Sequence, residues 1–396
     1  MFLTKEEEAI LDGEHGPVLE RSLRLLARLG DIYGAERMIP VGSVQVAGVS
    51  YKSIGEPGLE FLEDMASQGA KVRVLTFLNP AGMDLEDWQK IGFPEDFASR
   101  QTAIMDAFGA MGIVITSTCT PYLAGNLPRY REHIAWSESS AVSFSNSVIG
   151  ARTNREGGPS ALAAALCGVT PDYGLHRDEN RVPDVVVDVE ACLKNTADFG
   201  ALGWIVGKAV KNKIPYYRGL PETCNTDDLK ALGAASAASG AVALWHSENI
   251  TPEAERMDIS KLEKICITDE DISDAYGKLS SSKDVDIVIL GCPHASLREL
   301  GEAAGLLQGR KLKKPLWVCT SRVVKEAADR MGYTDTIEAA GGRVVADTCM
   351  VVSPIERMGI SNTGVNSGKA ANYLPGFCKQ GVMFNDVRAL IEEVLE

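Results

Sequence analysis

Residues 285–292 read VDIVILGC, a nearly unbroken apolar run closed by glycine and cysteine. Such a run, bounded by a turn-former, predicts a strand buried on both faces, as in a parallel sheet. Similar runs occur at Val182–Val189, Leu316–Cys319 and Arg343–Ala346, and upstream in VRVLTF (72–77) and around Val44 and Val46. Helical patterns alternate with them: Pro17–Leu29, Gly58–Gln68, Glu95–Phe108, Ala197–Lys211, Thr226–Ser239, Ser321–Met331 and Asn385–Leu395. Thr4 is read as the cap of a short KEEE helix, and Thr226 as the cap of its own. This alternation predicts an α/β protein with mostly parallel sheets. Gly112–Thr116 reads as one more strand and the acidic span Glu248–Asp274 as a surface connection. No internal repeat or low-complexity tract interrupts the pattern.

A chain of 396 residues exceeds one ordinary core, so two or three domains are expected. A net charge of −14 argues against general nucleic-acid binding, which requires basic surface. No apolar run reaches membrane-spanning length, and the charged N-terminus lacks a signal-peptide core, so a cytoplasmic protein is expected.

The nine cysteines include no CxxC pair, which removes zinc ribbons and thioredoxin-like motifs. An odd number without a secretion signal argues against a disulfide framework. Cys119, Cys292 and Cys349 share a context, each following a predicted strand: GIVITST, VDIVILG and GRVVADT. Ligand sites collect beyond the carboxyl ends of strands in α/β sheets. Three such thiolates can hold an iron–sulfur cluster and leave one iron without a protein ligand, free to act as a Lewis acid. Three ordinary buried thiols fit the same pattern, because Cys is among the most buried residue types. Cys319, inside LWVCTS, reads as packed within the sheet, and Cys167 as helical core.

The stretch 136–160, WSESSAVSFSNSVIGARTNREGGPS, mixes serine and asparagine with small apolar residues. It reads as a buried segment whose polar groups need partners, with Arg152 and Arg155 suited to an anionic ligand. A solvated surface loop is the alternative. SNTGVNSGKA (361–370) imitates a phosphate loop but fails it, having three residues between its glycines and Ala370 after Lys369. It retains the makings of a nest for one anionic group, or of a plain capped turn. Lys52 is another candidate anion contact; His133 and His294 lie near the cysteine segments as polar or purely structural groups. No dinucleotide fingerprint, paired-histidine metal spacing or Ser–His–Asp arrangement is legible.

Taken together, GVSYKSIGEPGLEFLEDMA (48–66), LNPAGMD (78–84), TSTCTPYL (116–123), SESSAVSFSNSVIGARTNREGGPSALAAAL (137–166), LGCPHAS (290–296), DTCMVV (347–352) and NSGKAANYLPG (366–376) resemble the aconitase X family. The resemblance extends through nearly the whole chain in the family's order. It implies an aconitase-like architecture, three α/β domains around a central cluster site, with residues 1–396 forming a large subunit that lacks the swivelling domain. The expected partner is a small swivelling-domain subunit, in a heterodimer or higher heteromer. The implied activity is dehydration of a hydroxy acid by an iron–sulfur enzyme, with a 4Fe-4S cluster on Cys119, Cys292 and Cys349. By the same resemblance, Ser50, Lys52, Asn79, Ser145, Asn146, Arg152, Asn154, Arg155, Asn366, Ser367 and Lys369 are candidate substrate contacts. The proton-abstracting base is expected to be a serine of the partner, leaving no catalytic base in this chain. Two substrates are associated with the family. Mevalonate 5-phosphate, dehydrated to trans-anhydromevalonate 5-phosphate in an archaeal isoprenoid route, is favoured over cis-3-hydroxy-L-proline. A subunit that has lost its cluster and serves only in assembly is the non-enzymatic alternative.

Overall fold

The computed structural model describes residues 1–396, in which three parallel sheets follow one another along the chain. In the first, β1 (Ser43–Val46) lies between β2 (Leu75–Leu78) and β3 (Ala135–Trp136). In the second, β4 (Val185–Val189) is flanked by β5 (Pro215–Arg218) and β7 (Glu263–Ile267), with β6 (His246–Ser247) beyond β5. The third runs in the spatial order β10 (Arg343–Ala346), β9 (Leu316–Thr320), β8 (Ile287–Leu290), β11 (Asn362–Val365), β12 (Gly381–Phe384). All four residues of β8 are buried, as its unbroken apolar sequence requires of a central parallel strand.

The order of the third sheet positions the site. The chain moves outward from β8 through β9 to β10, then crosses back to lay β11 and β12 on the other side. Reversal of that kind opens a crevice beyond the carboxyl ends of the two strands where it occurs. Gly291–Cys292 and Asn366–Ser367 occupy that place after β8 and β11. Among the helices, α1 (Ser139–Phe144) continues into a π-helical turn at Ser145–Ile149, and α2 (Gly158–Cys167) follows in the first unit. The second unit contributes α3 (Thr196–Val210) and α4 (Thr226–Gly240), and the third α5 (Gly368–Cys378). Gly368 is needed there, since a Cβ would lie 2.6 Å from the Gly200 carbonyl oxygen of α3. The largest buried apolar cluster joins the second and third sheets and takes in Met83, Phe93 and Phe97 from the first unit. The three units therefore pack as one body.

Several local expectations change. Gly112–Thr116 is no strand: it makes a single bridge, Val114 to Phe77, and leaves Val114 and Ile115 45% and 37% exposed at the open edge of the sheet. Glu248–Asp274 is more than a connection, because it contains β7 and the start of the helix Asp269–Leu279. As an edge strand β7 buries only Ile267, so its charged residues hid it. Asn225, not Thr226, caps α4, accepting from the Asp227 amide at 2.8 Å. The helix expected at Gly58–Gln68 begins at Tyr51, with a break at Gly55 ahead of Pro57.

Candidate active site

Three loops carry the three cysteines, and each turns sharply just before its thiol. Ser117, Gly291 and Asp347 all have positive φ, of 42°, 88° and 60°. At Gly291 the constraint is absolute, since a Cβ would sit 2.0 Å from the Cys319 carbonyl oxygen. The Cys119 loop is held by Thr118, whose amide donates to Leu78 O at 2.9 Å and whose carbonyl accepts from Gln45 Nε2 at 2.9 Å. The Cys349 amide donates to Ala81 O at 3.0 Å, so the first unit grips the loop of the third. His294, two residues past Cys292, donates its backbone N–H to Cys119 Sγ at 3.2 Å. The sequence could not show this meeting of loops.

Burial pushes all three thiols above their usual range, with Cys292 raised to about 12. They also feel one another, Cys349 acting on both Cys119 and Cys292, and Lys369 opposes the upward shift at each. Lys369 is itself buried, bonded to Glu138 and 3.3 Å from Ser140 Oγ. Burial would lower its pKa, but Glu138 and the thiols beside it hold it above the ordinary lysine value. Glu138 is held below the usual carboxylate range by Lys369 and Ser140 against its own burial. Ser367 lies beside Cys292 and caps α5, its hydroxyl accepting from the Ala370 amide at 3.0 Å.

No three His, Cys, Asp or Glu side chains stand close enough to share one metal ion. Thiols that each bind a different iron stand further apart than the donors of a single ion. A set of three soft, electrostatically coupled thiols with a buried cation beside them suits an iron–sulfur cluster, which needs its cysteines as thiolates. Cys319 is coupled to the same three but lies inside β9, fully buried, as its sequence context indicates.

The other candidates divide. Lys369 and Ser367 lie beside the thiols, Asn366 lines a cavity next to Gly291, and Asn79 Oδ1 is buried without a partner one residue before the Pro80–Ala81 segment that holds Cys349. Arg155 is exposed and has no ion-pair partner, and its charge reaches Tyr373 on α5, the helix of Lys369. The rest serve the protein itself. Ser50 Oγ donates to Val352 O at 2.7 Å, and Lys52 Nζ donates to Ser353 O and pairs with Glu356, both at 2.8 Å. Ser145 Oγ donates to Val142 O. Asn146 uses all its bonding capacity on Thr153, Ala243 and Arg181. Asn154 is tied to Tyr173 and Leu175. Arg152 is buried against Asp178 and Glu253, so its charge is neutralised and it is removed, with Lys52, from the free cations. The buried reading of the stretch 136–160 therefore holds, while its two arginines part company.

Sequence reasoning missed Glu138 and Ser140, and also Tyr122, a buried phenol coupled to Cys119 whose hydroxyl has no partner. The only signal for Tyr122 was its place three residues after Cys119. A cavity of about 300 Å³ opens next to Gly291 and Asn366, between the carboxyl ends of the second and third sheets. Lys194, Asn195, Thr223, Asn225 and Arg298 give it a polar lining.

Arg152 also donates to the carbonyl of His176, whose ring faces His133 with their Nδ1 atoms 3.0 Å apart. Burial, and then His133, depress the His176 pKa from 6.5 to about 3. A depressed histidine contributes stability in full above its ordinary value and loses it as pH falls toward the folded one. Melting curves should therefore show acid destabilisation beginning near pH 6.5 and running toward pH 3, and His176→Gln should flatten that slope by a few kcal/mol. An unchanged slope would contradict the burial of a neutral ring.

Family models described as the aconitase X first, second and third domains match residues 1–179, 183–277 and 285–396. The phosphomevalonate dehydratase large subunit of Methanocaldococcus jannaschii is 55% identical over 401 residues, covering 99% of this chain and 100% of that protein. The cis-3-hydroxy-L-proline dehydratase of Pseudomonas aeruginosa is 34% identical, covering 98% of this chain but 68% of that protein. The crystal structure of Thermococcus kodakaraensis aconitase X in its holo-form superposes with a TM-score of 0.94 at 49% identity, covering 100% of both chains.

Proposed function

Since the chain belongs to the aconitase X family, we propose that it is the cluster-bearing large subunit of a two-subunit hydro-lyase acting on mevalonate 5-phosphate. The product is trans-anhydromevalonate 5-phosphate. The observation that carries this reading is identity. The chain is 55% identical to a phosphomevalonate dehydratase large subunit and 34% identical to a cis-3-hydroxy-L-proline dehydratase. The large-subunit name of that relative supports a separate partner, which we take to be a swivelling-domain subunit, with residues 1–396 acting as one unit beside it.

When bound, an iron–sulfur cluster supplies a Lewis acid toward the departing hydroxyl. The chain's own groups do the rest. Cys119, Cys292 and Cys349 hold the cluster, and Lys369 offsets the negative charge that thiolates and a substrate carboxylate bring into a buried site. Glu138 and Ser140 fix the ammonium and keep it protonated. Asn366 and Ser367, at the start of α5, and the unpartnered Asn79 oxygen line up polar contacts for the substrate. Arg155 holds the phosphate, so that binding at the far end of the substrate aligns the reacting carbons. A proton leaves C2 and the hydroxyl leaves C3, together one water; the base is a serine of the partner subunit. The protein works in the cytoplasm, and no helix is long and apolar enough to cross a membrane.

Two assays test this. With the small subunit added anaerobically, the enzyme should turn over mevalonate 5-phosphate and leave cis-3-hydroxy-L-proline unchanged; the reverse preference would overturn the substrate assignment. Arg155→Gln should lower kcat/KM for the phosphorylated substrate about tenfold, the loss of one charge-assisted hydrogen bond. An unchanged kcat/KM would remove Arg155 from the phosphate site.

A further inference from the structure

The three cysteine loops come from two units, and one side chain touches all of them. His294 is 1% exposed and lies two residues past Cys292. Its backbone N–H donates to Cys119 Sγ at 3.2 Å. Its ring reaches the other two loops: Nδ1 stands 3.1 Å from Thr118 Oγ1, next to Cys119, and Nε2 stands 2.9 Å from Thr348 O, next to Cys349. The carbonyl can only accept, so Nε2 carries the proton. With Nε2 as the ring's donor, Nδ1 is left to accept from the Thr118 hydroxyl. The residue is anchored from behind as well, its own carbonyl accepting from the buried Lys230 Nζ at 3.1 Å. Lys230 belongs to α4, so the second unit joins the arrangement. Every hydrogen-bonding atom of His294 is thus assigned to an element bearing, or backing, a cysteine loop.

We propose that His294 is the positioning residue that sets the spacing of the three thiols, acting through the Thr118 hydroxyl and the Thr348 carbonyl. The proposal rests on Cys119, Cys292 and Cys349 being the cluster ligands. It goes beyond that reading by naming what holds them in register. Removing an outer partner of a metal site costs about 10- to 100-fold in affinity or activity, and here one residue supplies that support to two loops besides its own.

The two ring contacts can be removed separately. His294→Asn keeps a polar atom near the Nδ1 position and loses the reach to Thr348. His294→Gln keeps a donor near the Nε2 position and loses Thr118. Both variants and His294→Ala would be compared with the full chain for iron and sulfide bound after anaerobic reconstitution. The rate of iodoacetamide alkylation at each cysteine of the metal-free proteins would be measured alongside, with far-ultraviolet circular dichroism to confirm folding. His294→Ala should bind cluster about 10- to 100-fold more weakly. His294→Asn should speed alkylation selectively at Cys349, and His294→Gln selectively at Cys119. If His294→Ala does not fold, the Asn and Gln variants decide the matter.

Normal iron content in all variants, with the wild-type order of thiol reactivity, would overturn the proposal while leaving the cluster assignment intact. A wild-type chain that takes up no iron would instead overturn the cluster assignment. The alkylation pattern needs no metal and would still judge the role of His294. A uniform rise at all three cysteines would mark general loosening and overturn it too.

Discussion

With Cys292 replaced by serine, the reconstituted chain is expected to lose its iron and at least about a thousandfold of its dehydratase rate. The magnitude follows from a Lewis-acid contribution of several kcal/mol, each ~1.4 kcal/mol being a factor of ten. Serine has nearly the size of cysteine and suits the turn after Gly291, so the loop should keep its path. What changes is the donor: a hydroxyl does not ionise on binding iron as a thiol does. Cys319→Ala is the matched control. It lies in β9, coupled to the same three thiols yet wholly inside the sheet. It should retain iron and activity and cost about 1 kcal/mol of stability for the small void. Iron and sulfide content, read with the rate, checks both. Iron retained in Cys292→Ser, or lost in Cys319→Ala, would rewrite the ligand set.

The second large effect is on stability. Lys369→Met removes the cation from a buried pair and leaves Glu138 as an uncompensated carboxylate, at a cost of about 3–5 kcal/mol. The double variant Lys369→Met/Glu138→Gln should recover most of that loss, because no orphan charge remains. It should not recover turnover if the ammonium acts on the thiolates and substrate as proposed. Urea denaturation of the metal-free proteins gives the stability cycle, and assays with the small subunit give the rates. Recovery of both together would make the pair structural only.

How much of this was legible beforehand differs from residue to residue. The third sheet was readable because β8 and β9 are buried on both faces and spell themselves as continuous apolar runs. The edge strand β7 was not, since a strand with one buried residue in five looks like charged loop. The cysteines each stood out by context, but their convergence is set by crossovers in two different sheets, and spacing along the chain carries none of that. Arg152 and Arg155 are alike in sequence; only the fold brings Glu253 and Asp178 to one of them. Lys369 was noticed in a failed phosphate loop. Its partner Glu138 lies 231 residues away in the chain with no spacing to signal it, and the fold alone sets it against Lys369 while it also caps α1 at the Ala141 amide.

The loop of Cys119 is held mainly by the first sheet, while those of Cys292 and Cys349 belong to the last third of the polypeptide. If the three thiols are the cluster ligands, as proposed, the first is synthesised long before the other two, and a nascent chain shorter than 349 residues lacks the full set. Cluster insertion then has to follow synthesis of the last third of the chain.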